Sequence, residues 1–313
     1  MKVLVTGGGG FIGRAIAGPL VEEGFDVRVF DLMPTSTGGA EGFVGSILEP
    51  DDLAQAVRGC DCVIHLAAMV GVRRTEIKRL ECLRINIQGT VNVLDACVEE
   101  GVEKVVFSSS SEVYGEPPEN PISEATPVNP LSTYGISKLA AEEYVKAYDE
   151  THDIDYTLLR LFNVYGPGQV AEFVIPRFVK AVLEGRAPVV YGDGEQVRTF
   201  CFVDDVTSGI RLALESEAAR GQIVNLGNDQ EPISIISLAR RVIGLCDTGE
   251  PINVEVVPYE KSDRRASREI RERIPDISKA RKLLRYEPQV SLDQGILRLV
   301  EAGEIEETFF EPL

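Results

Sequence analysis

Tyr134 and Lys138 stand four residues apart in the run Tyr134-Gly135-Ile136-Ser137-Lys138. On a helix, that spacing puts a phenol and an ammonium on one face. An unperturbed tyrosine titrates near ~10, too high for a base at neutral pH, and a neighbouring cation lowers it. The pair is therefore suited to moving a proton to and from a hydroxyl group. A second run, Ser108-Ser109-Ser110-Ser111-Glu112, follows an apolar stretch and supplies hydroxyls that could hydrogen-bond the oxygen losing that proton. A third, Gly7-Gly8-Gly9-Gly10-Phe11-Ile12-Gly13, places Gly7, Gly10 and Gly13 at G-x-x-G-x-x-G spacing. Such a turn exposes bare backbone at a helix N-terminus, where a pyrophosphate binds, and its last glycine lets helix and strand pack closely. Asp31 follows at the ~20-residue separation where a carboxylate accepts both hydroxyls of a ribose and repels a 2′-phosphate. Leu32 supplies no arginine to welcome that phosphate, so the expected cofactor is NAD rather than NADP.

These groups need elements to position them. Residues 2–6 form a short apolar run, and 11–23 show helical periodicity ending at Gly24. Residues 26–30, 62–66 and 104–108 read as further strands, with a helix over 85–100 that stops at Gly101. Residues 132–149 form the helix carrying Tyr134 and Lys138, and 156–160 the next strand. Alternating β and α at this spacing predicts a parallel sheet covered on both faces. The acid- and proline-rich segment 116–130 reads as a loop, and Gly166-Pro167-Gly168 as a break. Beyond it, 189–191, 199–203, 223–226 and 253–257 are strand candidates between helices.

The 313-residue chain carries 32 Lys+Arg against 50 Asp+Glu, a formal charge of −18. That balance opposes a nucleic-acid backbone or an anionic membrane as partner. No stretch approaches the ~20 apolar residues of a membrane span, and the chain opens without the pattern of a signal peptide, so a cytoplasmic location is expected. Six scattered cysteines (Cys60, Cys62, Cys82, Cys97, Cys201, Cys246) contain no C-x-x-C pair and read as reduced structural residues. With only His65 and His152 as histidines, no metal site is expected. Residues 261–285 concentrate basic side chains, including Arg264, Arg265, Arg268, Arg271, Arg273 and Arg281. Most read as a solvated helical face, with one or two available to clamp a phosphate.

Residues 6–13, 65–68, 86–90, 107–115, 134–138, 160–167, 191–205 and 275–288 together resemble the extended short-chain dehydrogenases/reductases of the NAD-dependent nucleotide-sugar epimerase/dehydratase family. The match runs in the family's order over nearly the whole chain. The resemblance implies an α/β fold, a Rossmann-like doubly wound parallel sheet with a smaller C-terminal α/β substrate domain. It divides the chain into an NAD-binding domain (1–165 plus 196–227) and a substrate-binding domain (166–195 plus 228–313). It also implies a homodimer joined through the helices near 86–100 and 132–150.

By the same resemblance, Tyr134 is the acid–base tyrosine, Lys138 its partner and Ser110 the catalytic hydroxyl. Gly7, Gly10, Phe11, Ile12, Gly13, Asp31, Ser46, Ile47, Leu66, Ala67, Ala68, Asn86 and Phe162 fall at cofactor-binding positions. Ser110, Ser111, Asn163, Val174, Tyr191 and Arg198 fall at positions for a nucleoside-diphosphate sugar, expected to be UDP-linked. Arg198 takes the place of the arginine that pairs with the diphosphate. Departures are visible as well. Ser46 stands where the family often has an acidic residue against adenine, Phe173 replaces a frequent asparagine, and the segment after Gly168 is short.

The shared first step would yield a 4-keto sugar, which can be reduced on its other face, lose CO2 from a C5 carboxylate, or eliminate water. Ser110-Ser111-Glu112 lacks the central carboxylate of the dehydratases' Thr-Asp-Glu, and its Ser-Glu resembles UDP-glucuronate decarboxylases. Glu112 is thus a catalytic candidate or a carboxylate capping the next turn. The expected activity is 4-epimerisation, with decarboxylation or dehydration as alternatives. A non-catalytic NAD-binding sensor stays as a different class.

Overall fold

The computed structural model describes residues 1–35, 37–246, 249, 251–261, 270–303 and 305. β1 (Lys2–Thr6) leads through the glycine turn to α1 (Phe11–Glu22), then β2 (Asp26–Asp31), β3 (Glu41–Val44), α2 (Pro50–Val57) and β4 (Cys62–His65). Two short helices, α3 (Val72–Ile77) and α4 (Arg79–Leu83), run into a π-helical segment Arg84–Gln88 and α5 (Gly89–Glu100). β5 (Lys104–Ser110), α6 (Thr133–His152) and β6 (Asp155–Leu161) follow. The chain continues through β7 (Val164–Tyr165), α7 (Val174–Leu183), β8 (Val189–Tyr191), β9 (Val197–Arg198), β10 (Cys201–Phe202), α8 (Val203–Glu215) and β11 (Gln222–Leu226). Last come β12 (Ile233–Ser234), α9 (Ile235–Cys246), β13 (Glu255–Val257), β14 (Glu272–Arg273), α10 (Ser278–Leu284) and α11 (Leu292–Ala302).

Seven strands form one parallel sheet in the order β3-β2-β1-β4-β5-β6-β11. The order reverses between β1 and β4, which opens a crevice at the carboxyl ends of the two central strands. Alternation along β1 explains the two cores. Val3 and Val5 join Ile16, Leu20, Val206 and Ile210 on one face, while Leu4 joins Leu53, Leu94 and Phe107 on the other. Each such side chain contributes about 1.5–3 kcal/mol when fully buried. A third cluster, built around Phe178, Val182, Leu238, Val242 and Ile296, unites α7, α9 and α11 away from the sheet. α10 behaves differently from that unit: Ile277, Ala280, Leu284 and Tyr286 pack into the first face of the sheet.

Several elements differ from the sequence reading. The strand expected over 199–203 is interrupted. β9 ends at Arg198, β10 pairs with β7, and Val203 already begins α8. The expected helix over 85–100 starts within the π segment, so α5 proper begins at Gly89. β3 has no counterpart among the expected strands, because an edge strand reading Glu-Gly-Phe-Val, largely exposed, carries no apolar run.

Candidate active site

Ser110 ends β5, one of seven consecutive buried residues of that strand. Its Oγ accepts from the Glu112 N–H at 3.2 Å and lies in hydrogen-bond reach of the Tyr134 phenol. Tyr134 sits in the first turn of α6, which is capped by Ser132: the Ser132 Oγ accepts from the Gly135 N–H at 3.0 Å. The same hydroxyl donates to Glu112 Oε2 at 3.0 Å, so the cap also holds Glu112. Lys138 Nζ, one turn on, donates to the Ser108 carbonyl at 2.8 Å and lies 5.9 Å from the Tyr134 ring centre. Phenol, ammonium and hydroxyl thus meet at the carboxyl end of β5.

Electrostatics departs from the sequence expectation in one respect. Burial pushes the Tyr134 phenol well above its ordinary value, the Glu112 carboxylate adds to this, and only the Ser110 hydrogen bond works the other way. Burial brings Lys138 down to about 8 against the pull of Cys82 and Glu142. Desolvation therefore sets the direction for the phenol in the chain alone, before the positive charge of a bound nicotinamide is added. Glu112 stays below the usual carboxylate range: burial works to raise it, but the charge and hydrogen bond of Arg273, and the Ser132 hydroxyl, prevail. Arg273 Nη2 lies 2.7 Å from Glu112 Oε1.

The dinucleotide cradle lies at the reversal point of the sheet. Gly7 has φ +72°, and a Cβ there would stand 2.7 Å from the Ala67 nitrogen, so turn and Leu66–Ala68 segment press backbone to backbone. A Cβ on Gly13 would stand 2.2 Å from the Gly7 carbonyl. Gly10 caps α1 without a side chain, leaving the first-turn N–H groups around Phe11 and Ile12 without a side-chain cap. Asp31 Oδ2 accepts from the Gly9 N–H at 2.9 Å, fixing the carboxylate beside the turn. Bare N–H groups at a helix start, with an anchored carboxylate one strand over, fit an NAD pyrophosphate and ribose. Ser46 Oγ accepts from the Leu48 N–H at 3.1 Å, and Ile47 packs against Gly89. Asn86 Oδ1 accepts from the Met69 N–H at 2.7 Å, holding the segment that follows Ala68.

On the other side of the crevice, Ser111 is buried beside Ser110, and Asn163, at φ +36°, donates to the Thr199 carbonyl at 2.8 Å. Val174 opens α7. A cavity of about 310 Å³ is lined by Ala171, Arg177, Ala187, Val189 and Tyr191, and the Arg177 guanidinium lies 5.2 Å from the Tyr191 ring centre. Arg198 Nη2 donates to the Ile270 carbonyl at 2.7 Å and Nη1 to the Val197 carbonyl at 2.8 Å.

A family model described as the NAD dependent epimerase/dehydratase family matches residues 3–227. The chain belongs to that family. Among relatives of this epimerase/dehydratase chain is a UDP-glucose 4-epimerase of Mycolicibacterium smegmatis, 35% identical, covering 96% of this chain and 98% of the relative. A UDP-N-acetyl-alpha-D-glucosaminuronate decarboxylase of Bacillus cytotoxicus is also 35% identical, covering 96% and 97%. The crystal structure of a Thermotoga maritima UDP-glucose 4-epimerase with UDP-glucose superposes with a TM-score of 0.89 at 31% identity, covering 96% of this chain and 98% of that one.

In this epimerase/dehydratase-family chain the sequence-selected groups Ser110, Glu112, Tyr134 and Lys138 come together. The Phe162 side chain does not join them. It is fully buried, packed with Val113, Tyr114 and Ile122. Arg273 was not singled out from its basic neighbours. β14 pairs with β9 in parallel, setting Arg273 opposite Arg198, and the only sequence cue is its place just before the matched segment that starts at Pro275. Arg281 follows the solvated reading, paired with Asp229 and Glu287. Arg264, Arg265 and Arg268 lie outside the described residues. Among the described residues no group of three His, Cys, Asp or Glu could hold a metal ion, and no helix is long and apolar enough to cross a membrane. All six cysteines are free thiols.

Proposed function

We propose that the chain is an NAD-dependent nucleotide-sugar 4-epimerase, acting on a UDP-linked hexose through a transient 4-keto sugar. The observation that carries it is the meeting of Ser110, Tyr134 and Lys138 at the end of β5, two strands across the sheet from β1 and its glycine turn. When bound, NAD accepts and returns a hydride and adds positive charge near the phenol. Gly7, Gly10, Phe11, Ile12 and Gly13 hold its pyrophosphate, and Asp31 its adenosine ribose. Ser46, Ile47, Leu66, Ala67, Ala68, Asn86 and Phe162 complete the cradle. The Tyr134 oxygen takes the proton of the sugar's C4 hydroxyl and later gives it back, Ser110 hydrogen-bonds that oxygen, and the Lys138 charge favours the phenolate. Ser111, Asn163 and Arg198 face the sugar and diphosphate, and Val174 with Tyr191 receives the base.

Residues 1–165 with 196–227 form the cofactor unit, and 166–195 with 228–313 the substrate unit, α10 reaching back under the sheet. Two copies pair through α5 and α6, where Ile136 and Tyr144 are 46% and 43% exposed. The enzyme works in the cytoplasm.

A second reading, decarboxylation of a UDP-linked uronate, is favoured by the Glu112–Arg273 pair, which sets a buried guanidinium beside the reacting centre. Purified protein should release NAD on denaturation. Incubation with UDP-glucose, UDP-N-acetylglucosamine and UDP-glucuronate, followed by NMR, separates the readings: an epimer supports the first, a pentose with CO2 the second. Tyr134→Phe should abolish turnover while leaving NAD bound. Unchanged turnover would remove Tyr134 from the mechanism.

A further inference from the structure

His65 closes β4 at 1% exposure and takes no part in the chemistry above. Both ring nitrogens are nevertheless engaged. Nδ1 lies 2.6 Å from the Thr6 hydroxyl, and Nε2 lies 3.1 Å from the Thr90 hydroxyl. Counting protons assigns the donors. Thr90 gives its single hydroxyl proton to the Asn86 carbonyl at 2.7 Å, so it can only accept from the ring. Nε2 therefore carries the hydrogen, Nδ1 is bare, and Thr6 donates to it. The Thr6 oxygen in turn accepts from the Ala67 N–H at 3.3 Å. Every donor points one way, from the segment pressed against the glycine turn to the Asn86 carbonyl.

From Asn86 the path reaches the chemical end. The Asn86 amide Nδ2 donates to Ser137 Oγ at 2.9 Å, and that hydroxyl donates to the Tyr134 carbonyl at 2.7 Å. A second arm leaves the His65 backbone. The Ser108 hydroxyl donates to the His65 carbonyl at 2.9 Å, and the Ser108 carbonyl receives Lys138 Nζ. Burial, reinforced by the Lys138 charge, holds the imidazole down to about 3 and so keeps it neutral.

We propose that His65 is a positioning residue: a neutral ring in one tautomer that ties Thr6, at the base of the dinucleotide turn, to Tyr134 and Lys138. The proposal rests on the roles given to those two residues above. The hydride-accepting cofactor site and the proton-accepting phenol must keep a common register, and a misplacement of ~1 Å costs on the order of 100-fold in rate.

Thr90→Val keeps the side-chain shape and deletes the hydroxyl, while Thr90→Ser restores the hydroxyl. Thr90→Val should lower kcat by about 10- to 100-fold with KM and the NAD dissociation constant nearly unchanged, and Thr90→Ser should recover most of the loss. Equal losses in the two variants would mean packing alone and would overturn the proposal. Nitrogen-15 NMR of the ring gives a readout independent of turnover. The wild type should show Nε2–H without protonation down to pH 5, and Thr90→Val should move the proton to Nδ1, because Nε2–H would lose its acceptor. A wild-type ring that titrates, or that carries its proton on Nδ1, sinks the idea. Should the wild type convert no nucleotide sugar, the reading of the reaction fails, and these spectra still decide whether His65 makes the tie.

Discussion

Arg160 holds Glu142 through two hydrogen bonds, Nε to Oε1 at 2.9 Å and Nη2 to Oε2 at 2.7 Å, with side chains 4% and 0% exposed. The Ser109 hydroxyl donates to the same carboxylate. Glu142 lies one turn beyond Lys138 on α6, Ser109 precedes Ser110 on β5, and Arg160 belongs to β6. The pair thus binds together the three elements that meet at the site. Removing Glu142 strands the Arg160 guanidinium, which lies 4.8 Å from the Tyr114 ring centre. Glu142→Leu should cost about 3–5 kcal/mol, and adding Arg160→Met should recover much of it. Urea unfolding of the single and double variants checks this. A double variant as unstable as the single one would contradict the account.

The same carboxylate acts on the chemistry. Lys138 is brought down to about 8 by burial, while Glu142 pulls it upward. Below that value the ammonium is charged and supports the Tyr134 phenolate, and above it the charge is lost. The plot of log kcat/KM against pH should therefore fall on the alkaline side near 8. Glu142→Gln should move that fall to lower pH, because an upward pull has gone. A general loosening of the fold would scale the whole profile without shifting its limb. Initial rates across the pH range, under saturating NAD, distinguish the two.

His65 also marks the acid side of stability. Its folded value of about 3 lies below the ~6.5 of an unfolded histidine. Between those values the unfolded chain binds more protons, so stability is lost as pH falls from 6.5 towards 3. The slope from this one group approaches about 1.4 kcal/mol per pH unit. His65→Gln should remove that share, leaving a shallower dependence of unfolding free energy on pH between 6 and 4.5. Chemical denaturation at four or five pH values measures the difference in slope, and parallel curves would place the titration elsewhere.

How far the sequence could be read follows from what each feature depends on. Gly7, Gly10 and Gly13, and Tyr134 with Lys138, were legible because their meaning lies in local spacing: a turn, or one helix face. Buried strands such as β1 and β5 announce themselves as apolar runs. β3 has no such run and forms only because β2 offers it an edge. Arg273 reaches Glu112 because β14 pairs with β9, a contact between distant parts of the chain that spacing cannot report. Phe162 sat inside a matched segment, yet its ring fills the core beside Tyr114 at 6.1 Å. The upward pull on Tyr134 in the chain without its cofactor was hidden for a related reason. A helix wheel shows the lysine but not the burial, nor the Glu112 charge arriving from the end of β5.

Asp31 gives the last prediction. Oδ2 accepts from the Gly9 N–H at 2.9 Å and Oδ1 from the Met33 N–H at 3.4 Å, so the carboxylate is pinned at the end of β2 rather than free to swing aside. A 2′-phosphate placed on the adenosine ribose would face this fixed negative charge, and the neighbouring Leu32, 53% exposed, offers no compensating cation. Coulomb repulsion near a protein surface amounts to a few kcal/mol at ~4 Å, enough for a preference of about 100-fold or more. NAD should therefore bind at least that much more tightly than NADP. Asp31→Ser with Leu32→Arg removes the repulsion and supplies a bidentate partner for phosphate, so the ratio should fall towards one or invert. Fluorescence titration of the two reduced cofactors against wild type and the double variant measures it. Equal affinity of the wild type for both cofactors would show that Asp31 does not meet the ribose.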